Sequence, residues 1–321
     1  MESKALSLKE FDENARGDLE KKIADMISDK NIVTILSGGK RLRPLLAHLA
    51  FKACTKGNES SFEYQRALEG GVVIELAHTA SLVHDDIIDN DNKRRGKTSF
   101  HVKKGVANAI LTGHKMISTG FDIALHHGKE FAKLYVDSWN EVVNGEIDEV
   151  NFNNDDLKRL KETSLKSQIF KAYEKIIDFK TAALFSSACR AGALQANMSG
   201  DILKVFSDYG REIGFAYQLA DDLVDLENGE MIDSVIVPLL NKIENNGSKI
   251  KMFGKREIKK KFRDNKEKIK EFYIKEIKKH IIKAEELGKS NLIPPSSYKI
   301  LLSEAPSYII NRMLNEINVS V

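Results

Sequence analysis

The sequence predicts an all-α protein. Apolar residues recur at spacings of three and four through most of its 321 residues, and strand-like alternation bounded by turn dipeptides is hard to find. Only five Pro occur, and Pro is the residue that removes a backbone donor and breaks helices. The N-terminal stretch MESKALSLKEFDENARGDLEKK carries charges where a signal peptide needs an apolar core, so a retained amphipathic helix is expected there. Helix breaks are expected where Gly, Asn and Pro cluster: near Ser37-Gly38-Gly39, Lys56-Gly57-Asn58, Arg94-Arg95-Gly96, Asn151 to Asp155, Glu227-Asn228-Gly229, Asn245-Asn246-Gly247 and Pro294-Pro295. These gaps are short, and no segment reads as a flexible linker or a repeat. One helical domain spanning 1–321 is therefore simpler than two.

Composition bounds the function. Hydrophobic residues make up 42% and charged residues 30%, which excludes a disordered or collagen-like chain. The longest uncharged stretches, such as Thr181 to Cys189, fall short of the roughly 18 to 20 apolar residues of a membrane span, so no membrane insertion is expected. Cys54 and Cys189 are too few for a disulfide framework, and a reducing, cytoplasmic setting is the default expectation. Between Lys242 and Lys289 there are 17 Lys/Arg against 8 Asp/Glu. A patch for nucleic acid or anionic lipid would suit that excess, but no nucleic-acid motif accompanies it. Phe262, Ile269, Phe272, Tyr273 and Ile277 recur there at helical spacing with Lys and Glu between them, so a solvated helix face is expected, and no nucleic-acid partner.

Two acidic helix faces carry the chemistry. ELAHTASLVHDDIIDND presents Asp85, Asp86 and Asp89 after a long apolar run, and GFAYQLADDLVDLENGE repeats the pattern with Asp221, Asp222 and Asp225. Residues four apart stack on one helical face, so Asp85 and Asp89 bring their oxygens close enough to share a hard cation. Adjacent carboxylates repel and Asp is a poor helix former, so two such triplets need compensating positive charge. Mg²⁺ is the natural candidate, because it takes one or two carboxylates together with waters and substrate phosphates. The basic counterpart is GGKRLRP from Gly38 to Pro44, which sets Lys40, Arg41 and Arg43 beside a flexible Gly pair able to wrap an anion. Guanidinium forks and a Lys point charge suit a diphosphate. Arg94 and Arg95 follow the first acidic face within one loop, and His78, about two turns before Asp85, shares its face.

Together these motifs resemble the trans-prenyltransferases, the polyprenyl diphosphate synthase family, from Gly38 to about Arg312. GGKRLRP, HTASLVHDDIID with RRGKTSFH, GEID at Gly145, FKTAALF at Phe179, GFAYQLADDLVD and PSYIINR occur in the family's order. The resemblance implies an isoprenoid synthase fold, a single large helical bundle around a central cavity, and a homodimer. It implies that Asp85, Asp89 and Asp221 are the main ligands of three Mg²⁺, with Asp86, Asp222 and Asp225 as secondary ligands or their partners. Lys40, Arg43, His78, Arg95 and Phe215 match the isopentenyl diphosphate pocket. Arg94, Lys180, Thr181 and Gln218 match the groups around the allylic diphosphate. The implied reaction is Mg²⁺-dependent ionisation, condensation and elimination.

Ala80 and Ser81, just before the first acidic motif, are small, so the wall they match is open and a product of C20 or longer is expected. Met116, Tyr135 and Trp139 are candidate floor residues, each also readable as plain core. Two departures stand out. The family's Gly-Asp after the first motif is replaced in AILTGHKMIS, where His114 takes the Asp position, and Leu226 to Asn241 contains no Lys. Lys242, Lys249 and Lys251 are the candidate substitutes. Two alternatives stay open: a terpene cyclase of the same fold, and a weakly active or regulatory subunit of a heteromeric synthase.

Overall fold

The computed structural model describes residues 7–151, 166–228, 260 and 263–321. The expected helices form. They are α1 (Leu8–Met26), α2 (Lys30–Leu36), α3 (Leu42–Thr55), α4 (Ser61–Ile88), α5 (Phe100–Lys104), α6 (Val106–His126), α7 (Lys129–Asn151), α8 (Lys166–Ile177), α9 (Ala183–Gln195), α10 (Asp201–Glu227), α11 (Lys266–Gly288) and α12 (Ser297–Leu314). Local chemistry sets their starts. Ser7 with Glu10, and Ser60 with Glu63, form reciprocal capping boxes on α1 and α4. Asp29 accepts from the Asn31 and Ile32 amides at the start of α2.

The chain divides into two compact units, each assembled from three segments. The first comprises Met1–Trp139, Leu184–Gly210 and Glu286–Ala305; the second comprises Asn140–Ala183, Arg211–Glu285 and Pro306–Val321. In the first, α3 and α4 are buried around most of their circumference, as expected of helices apolar on every side. Leu19, Ile23, Ile27, Ile32, Leu36, Val72, Leu76, Ala80 and Met116 form one core cluster, with Trp139 packed against it. In the second unit the buried stripe of α11 is Ile269, Tyr273, Ile277 and Ile281, with exposed Lys and Glu between. This is the solvated helix face expected of the described part of the basic stretch. Phe262, Lys242, Lys249 and Lys251 lie outside the described residues.

One strand pair was not legible in the sequence. Lys93–Arg94 (β1) pairs antiparallel with Lys97–Thr98 (β2), and the two-residue turn Arg95-Gly96 has φ of 52° and 72°. Positive φ at both turn positions is the hairpin geometry that matches strand twist. Two-residue strands are too short for any alternation to register.

His48 gives the first unit a defined acid response. Its ring is buried among Phe11, Phe51 and Tyr64. Desolvation, reinforced by the Lys52 ammonium, lowers its pKa to about 4. Between the ordinary value near 6.5 and that lowered value the unfolded chain binds more protons than the folded one. Stability therefore falls as pH drops from about 6.5 toward 4, by up to about 1.4 kcal/mol per pH unit from this residue. Thermal melts across that range should show a shallower decline in His48→Gln than in the parent.

Candidate active site

In both aspartate triplets the middle carboxylate is buried and committed to protein donors, while the outer pair four residues apart is less enclosed. Asp86 is 4% exposed and Asp222 5%, whereas Asp85, Asp221 and Asp225 are half-buried and Asp89 is exposed. In the first unit, Arg94 Nε donates to Asp86 Oδ1 at 2.6 Å, and its Nη2 pairs with the same oxygen and lies 3.6 Å from Asp91. The three carboxylates Asp86, Asp91 and Asp85 hold the Arg94 guanidinium above its ordinary pKa against the cost of burial. The hairpin thus places Arg94 against the acidic face and exposes Arg95 at its tip. Asp89 caps α4, where the negative end of the helix dipole adds to the local excess.

The two arginines of GGKRLRP part company. Arg43 is buried, donates from Nη1 to His78 Nε2 at 3.1 Å and stacks 4.2 Å over the Phe185 ring. Burial and the positive neighbours Arg43, Arg95, Arg94 and Arg41 hold His78 well below the ordinary imidazole pKa, so it is neutral. With Nε2 accepting from Arg43, its proton sits on Nδ1. Arg41 instead turns inward, donating from Nη1 to Glu75 at 2.7 Å and from Nε to Glu20 at 2.8 Å. Gly39 is not a hinge for wrapping an anion: a Cβ there would stand 2.4 Å from Arg41 Nη1 and 2.9 Å from Glu75 Oε1, so the glycine makes room for this pair. Lys40 remains exposed.

Ala80 and Ser81 also differ. Ala80 is fully buried in the core cluster beside Met116, whereas Ser81 is half-buried and donates to the His78 carbonyl at 2.8 Å. Tyr135 is core, its hydroxyl donating to the Ile117 carbonyl. His114 is exposed, and its ring meets that of His84 edge-on at 5.4 Å, with Trp139 at 6.4 Å on the same imidazole.

In the second unit a π-helical turn, Asp178–Ala182, interrupts the helix between α8 and α9. Such turns concentrate at functional sites, and this one carries Lys180 and Thr181. The Lys180 ammonium pairs with Glu146 at 2.8 Å and with Glu149. Gly145 permits the approach of α7, since a Cβ there would lie 2.6 Å from the Lys180 amide nitrogen. Thr181 Oγ1 donates to Gln218 Oε1 at 2.7 Å, Gln218 Nε2 donates to Asp222 Oδ1 at 2.9 Å, and Tyr173 Oη donates to Asp222 Oδ2. Burial raises Asp222 to about 7 despite these donors, with Asp221 and Asp225 adding repulsion. Phe215 is half-buried and stacks on His280 at 5.0 Å and 7°, and His280 is bonded to Glu212 at 2.5 Å.

Sequence reasoning missed Tyr173, Glu75, Glu149 and His280. Tyr173 had a signal, lying seven residues before Lys180 and so about two turns away. Among the described residues no three His, Cys, Asp or Glu side chains gather closely enough to hold a metal ion alone. The donor set is a pair of carboxylates per face, all oxygen, which fits Mg²⁺ completed by water and phosphate rather than a protein cage. No helix of the described residues is long and apolar enough to cross a membrane.

Comparison with known proteins points to one family. A family model described as polyprenyl synthetase matches residues 25–233. A short chain isoprenyl diphosphate synthase of Methanothermobacter thermautotrophicus is 34% identical over 224 residues, covering 66% of this chain and 64% of that protein. A geranylgeranyl diphosphate synthase of Methanosarcina mazei is 31% identical over 238 residues, covering 69% and 68%. The chain thus spans about two thirds of the length of these relatives. The crystal structure of geranylgeranyl pyrophosphate synthetase from Pyrococcus horikoshii superposes with a TM-score of 0.74 at 25% identity, covering 95% of this chain and 98% of that one.

Proposed function

The chain belongs to the polyprenyl synthetase family, and from that premise we propose that it condenses isopentenyl diphosphate with an allylic diphosphate to give an all-trans polyprenyl diphosphate of C20 or longer. The observation that carries this reading is the division of labour within the triplets. Asp86 and Asp222 are buried and held by Arg94 and by Tyr173 with Gln218, while Asp85 with Asp89, and Asp221 with Asp225, are the less enclosed carboxylates, the ones that would hold Mg²⁺. Bound Mg²⁺ would stabilise the charge gathering on the leaving diphosphate.

The chain's own residues do the rest. Arg43, fixed by His78 and Phe185, presents a formed guanidinium to the isopentenyl diphosphate, with Lys40 and Arg95 adding point charge from exposed positions and neutral His78 donating from Nδ1. Phe215, braced by His280, offers an apolar ring beside the isopentenyl group. Arg94 shares its charge between Asp86 and the allylic diphosphate. Thr181 gives its proton to Gln218, so its oxygen lone pairs, with the Lys180 carbonyl, present negative dipole ends to the allylic cation. The allylic C–O bond breaks as its electron pair leaves with the diphosphate, the isopentenyl double bond then attacks the allylic cation to form the new C–C bond, and the proton lost afterwards goes to the released diphosphate.

Product length rests on the wall before Asp85. Ser81 is the better-supported wall residue, because Ala80 already lies in closed core. Ser81→Phe should shorten the product by one or more isoprene units at an unchanged melting temperature. Ala80→Phe should instead overpack, losing about 1 to 3 kcal/mol. Product mass from isopentenyl diphosphate with dimethylallyl, geranyl or farnesyl diphosphate and Mg²⁺ tests activity, primer and length together. No product from any primer would sink the reading. Val106, Ile110, Phe121 and Leu125 expose an apolar stripe along α6, which supports a homodimer in which a second copy covers it.

A further inference from the structure

Tyr173, Asp222, Gln218 and Thr181 form a continuous chain of hydrogen bonds, with Tyr173 4% and Asp222 5% exposed. We propose that Tyr173 is a positioning residue, which through Asp222 sets the direction of the Gln218 amide and thereby of the Thr181 hydroxyl. The proposal rests on reading Thr181 and Gln218 as dipoles facing an allylic cation.

Each link follows from donor and acceptor chemistry. Tyr173 Oη donates to Oδ2 of Asp222 and Gln218 Nε2 to Oδ1, so with both donors in place Asp222 accepts on each oxygen and takes the N–H end of Gln218. With that end pinned, the amide oxygen must face Thr181, and the hydroxyl must donate to it. The lone pairs of Thr181 are then its remaining face, which is the polarity a developing cation requires. Tyr273 Oη lies 3.4 Å from Tyr173 Oη. Because the Tyr173 proton is given to Asp222, Tyr273 donates in turn and keeps Tyr173 from rotating away. Four helical segments, α8, the π turn, α10 and α11, thus contribute one residue or more to a single orientation.

Without the Tyr173 hydroxyl, Oδ2 of Asp222 is left as a competing acceptor and the amide loses its fixed partner geometry. An Asn at position 222 is more disruptive in a diagnostic way. Its NH₂ can donate to the Gln218 oxygen, which turns the amide round and makes Thr181 accept, aiming the hydroxyl proton where the lone pairs were. Size is conserved while polarity reverses.

The test compares wild type, Tyr173→Phe and Asp222→Asn as full-length proteins. Two probes are titrated calorimetrically with Mg²⁺ and inorganic diphosphate: a trialkylammonium analogue of the allylic cation and its uncharged isostere. Steady-state kinetics are run alongside. For Tyr173→Phe the expected result is a roughly tenfold weaker Kd for the ammonium probe, a change under twofold for the isostere, a roughly tenfold lower kcat and an unchanged KM for isopentenyl diphosphate. Asp222→Asn should abolish the preference for charge, and it decides the matter if Tyr173→Phe does not fold. Equal weakening of both probes, or of neither, overturns the proposal, as does a wild type that binds both probes alike. A wild type that prefers the ammonium probe yet makes no product would sink the synthase reading and leave this one standing.

Discussion

Asp85→Ala lowers turnover by roughly 10³-fold, the scale on which electrostatic stabilisation of developing charge is lost, while the protein keeps its fold. The second half of that expectation is what makes the experiment informative. Asp85 stands near the C-terminal end of α4, where the dipole disfavours negative charge, and four residues from Asp89, a like-charged pair that costs a helix a few tenths of a kcal/mol. Its removal relieves that repulsion and forfeits the attraction to Arg94, so the melting temperature should move little and the loss of activity cannot be put down to unfolding. Asp86→Ala should behave in the opposite manner. It strips Arg94 of a carboxylate at 2.6 Å inside a half-buried setting, so its melting temperature falls. Single-turnover rates and melts on both variants separate the roles. Near wild-type turnover in Asp85→Ala would sink the metal assignment.

Arg41→Met destabilises the protein by about 3 to 5 kcal/mol, the cost of breaking a buried ion pair and leaving one charge behind. The side chains of Arg41 and Glu75 are each 2% exposed, and they meet at 2.7 Å. Glu20, the second partner, is about half exposed and can be hydrated when Arg41 goes. The orphan that matters is Glu75. Pairing the change with Glu75→Leu should recover most of the loss, because apolar residues of similar volume replace buried ion pairs at little cost. Chemical denaturation of the single and double variants measures this directly. A single variant that loses under 1 kcal/mol would show that water reaches Glu75 in solution.

Arg41 also marks where sequence reading stops. In GGKRLRP it is indistinguishable from Arg43, since both are arginines beside a Gly pair. What separates them is the left-handed φ of 55° at Arg41 and the acidic side chains of α1 and α4, which lie 21 and 34 residues away along the chain. Periodicity, by contrast, was enough for the helices and for Asp85 with Asp89, because a four-residue interval on a helix is local geometry. It could not show that the middle carboxylate of each triplet turns inward, because that depends on Tyr173 and Arg94 arriving from other elements. His280 behind Phe215 was hidden for the same reason, 65 residues downstream within a run that reads as surface charge.

The stacking of Arg43 on Phe185 and its bond to His78 carry a thermodynamic consequence. Ordering a long side chain on association typically costs about 0.5 to 1.5 kcal/mol. For Arg43 that loss of freedom is incurred when the chain folds, whereas exposed Lys40 still has its freedom to lose. On the proposed reading Arg43 therefore contributes mainly enthalpy to anion capture, and Lys40 brings an entropic penalty with its charge. The proposed receptor is thus graded, with one arm set in advance and another that closes upon contact.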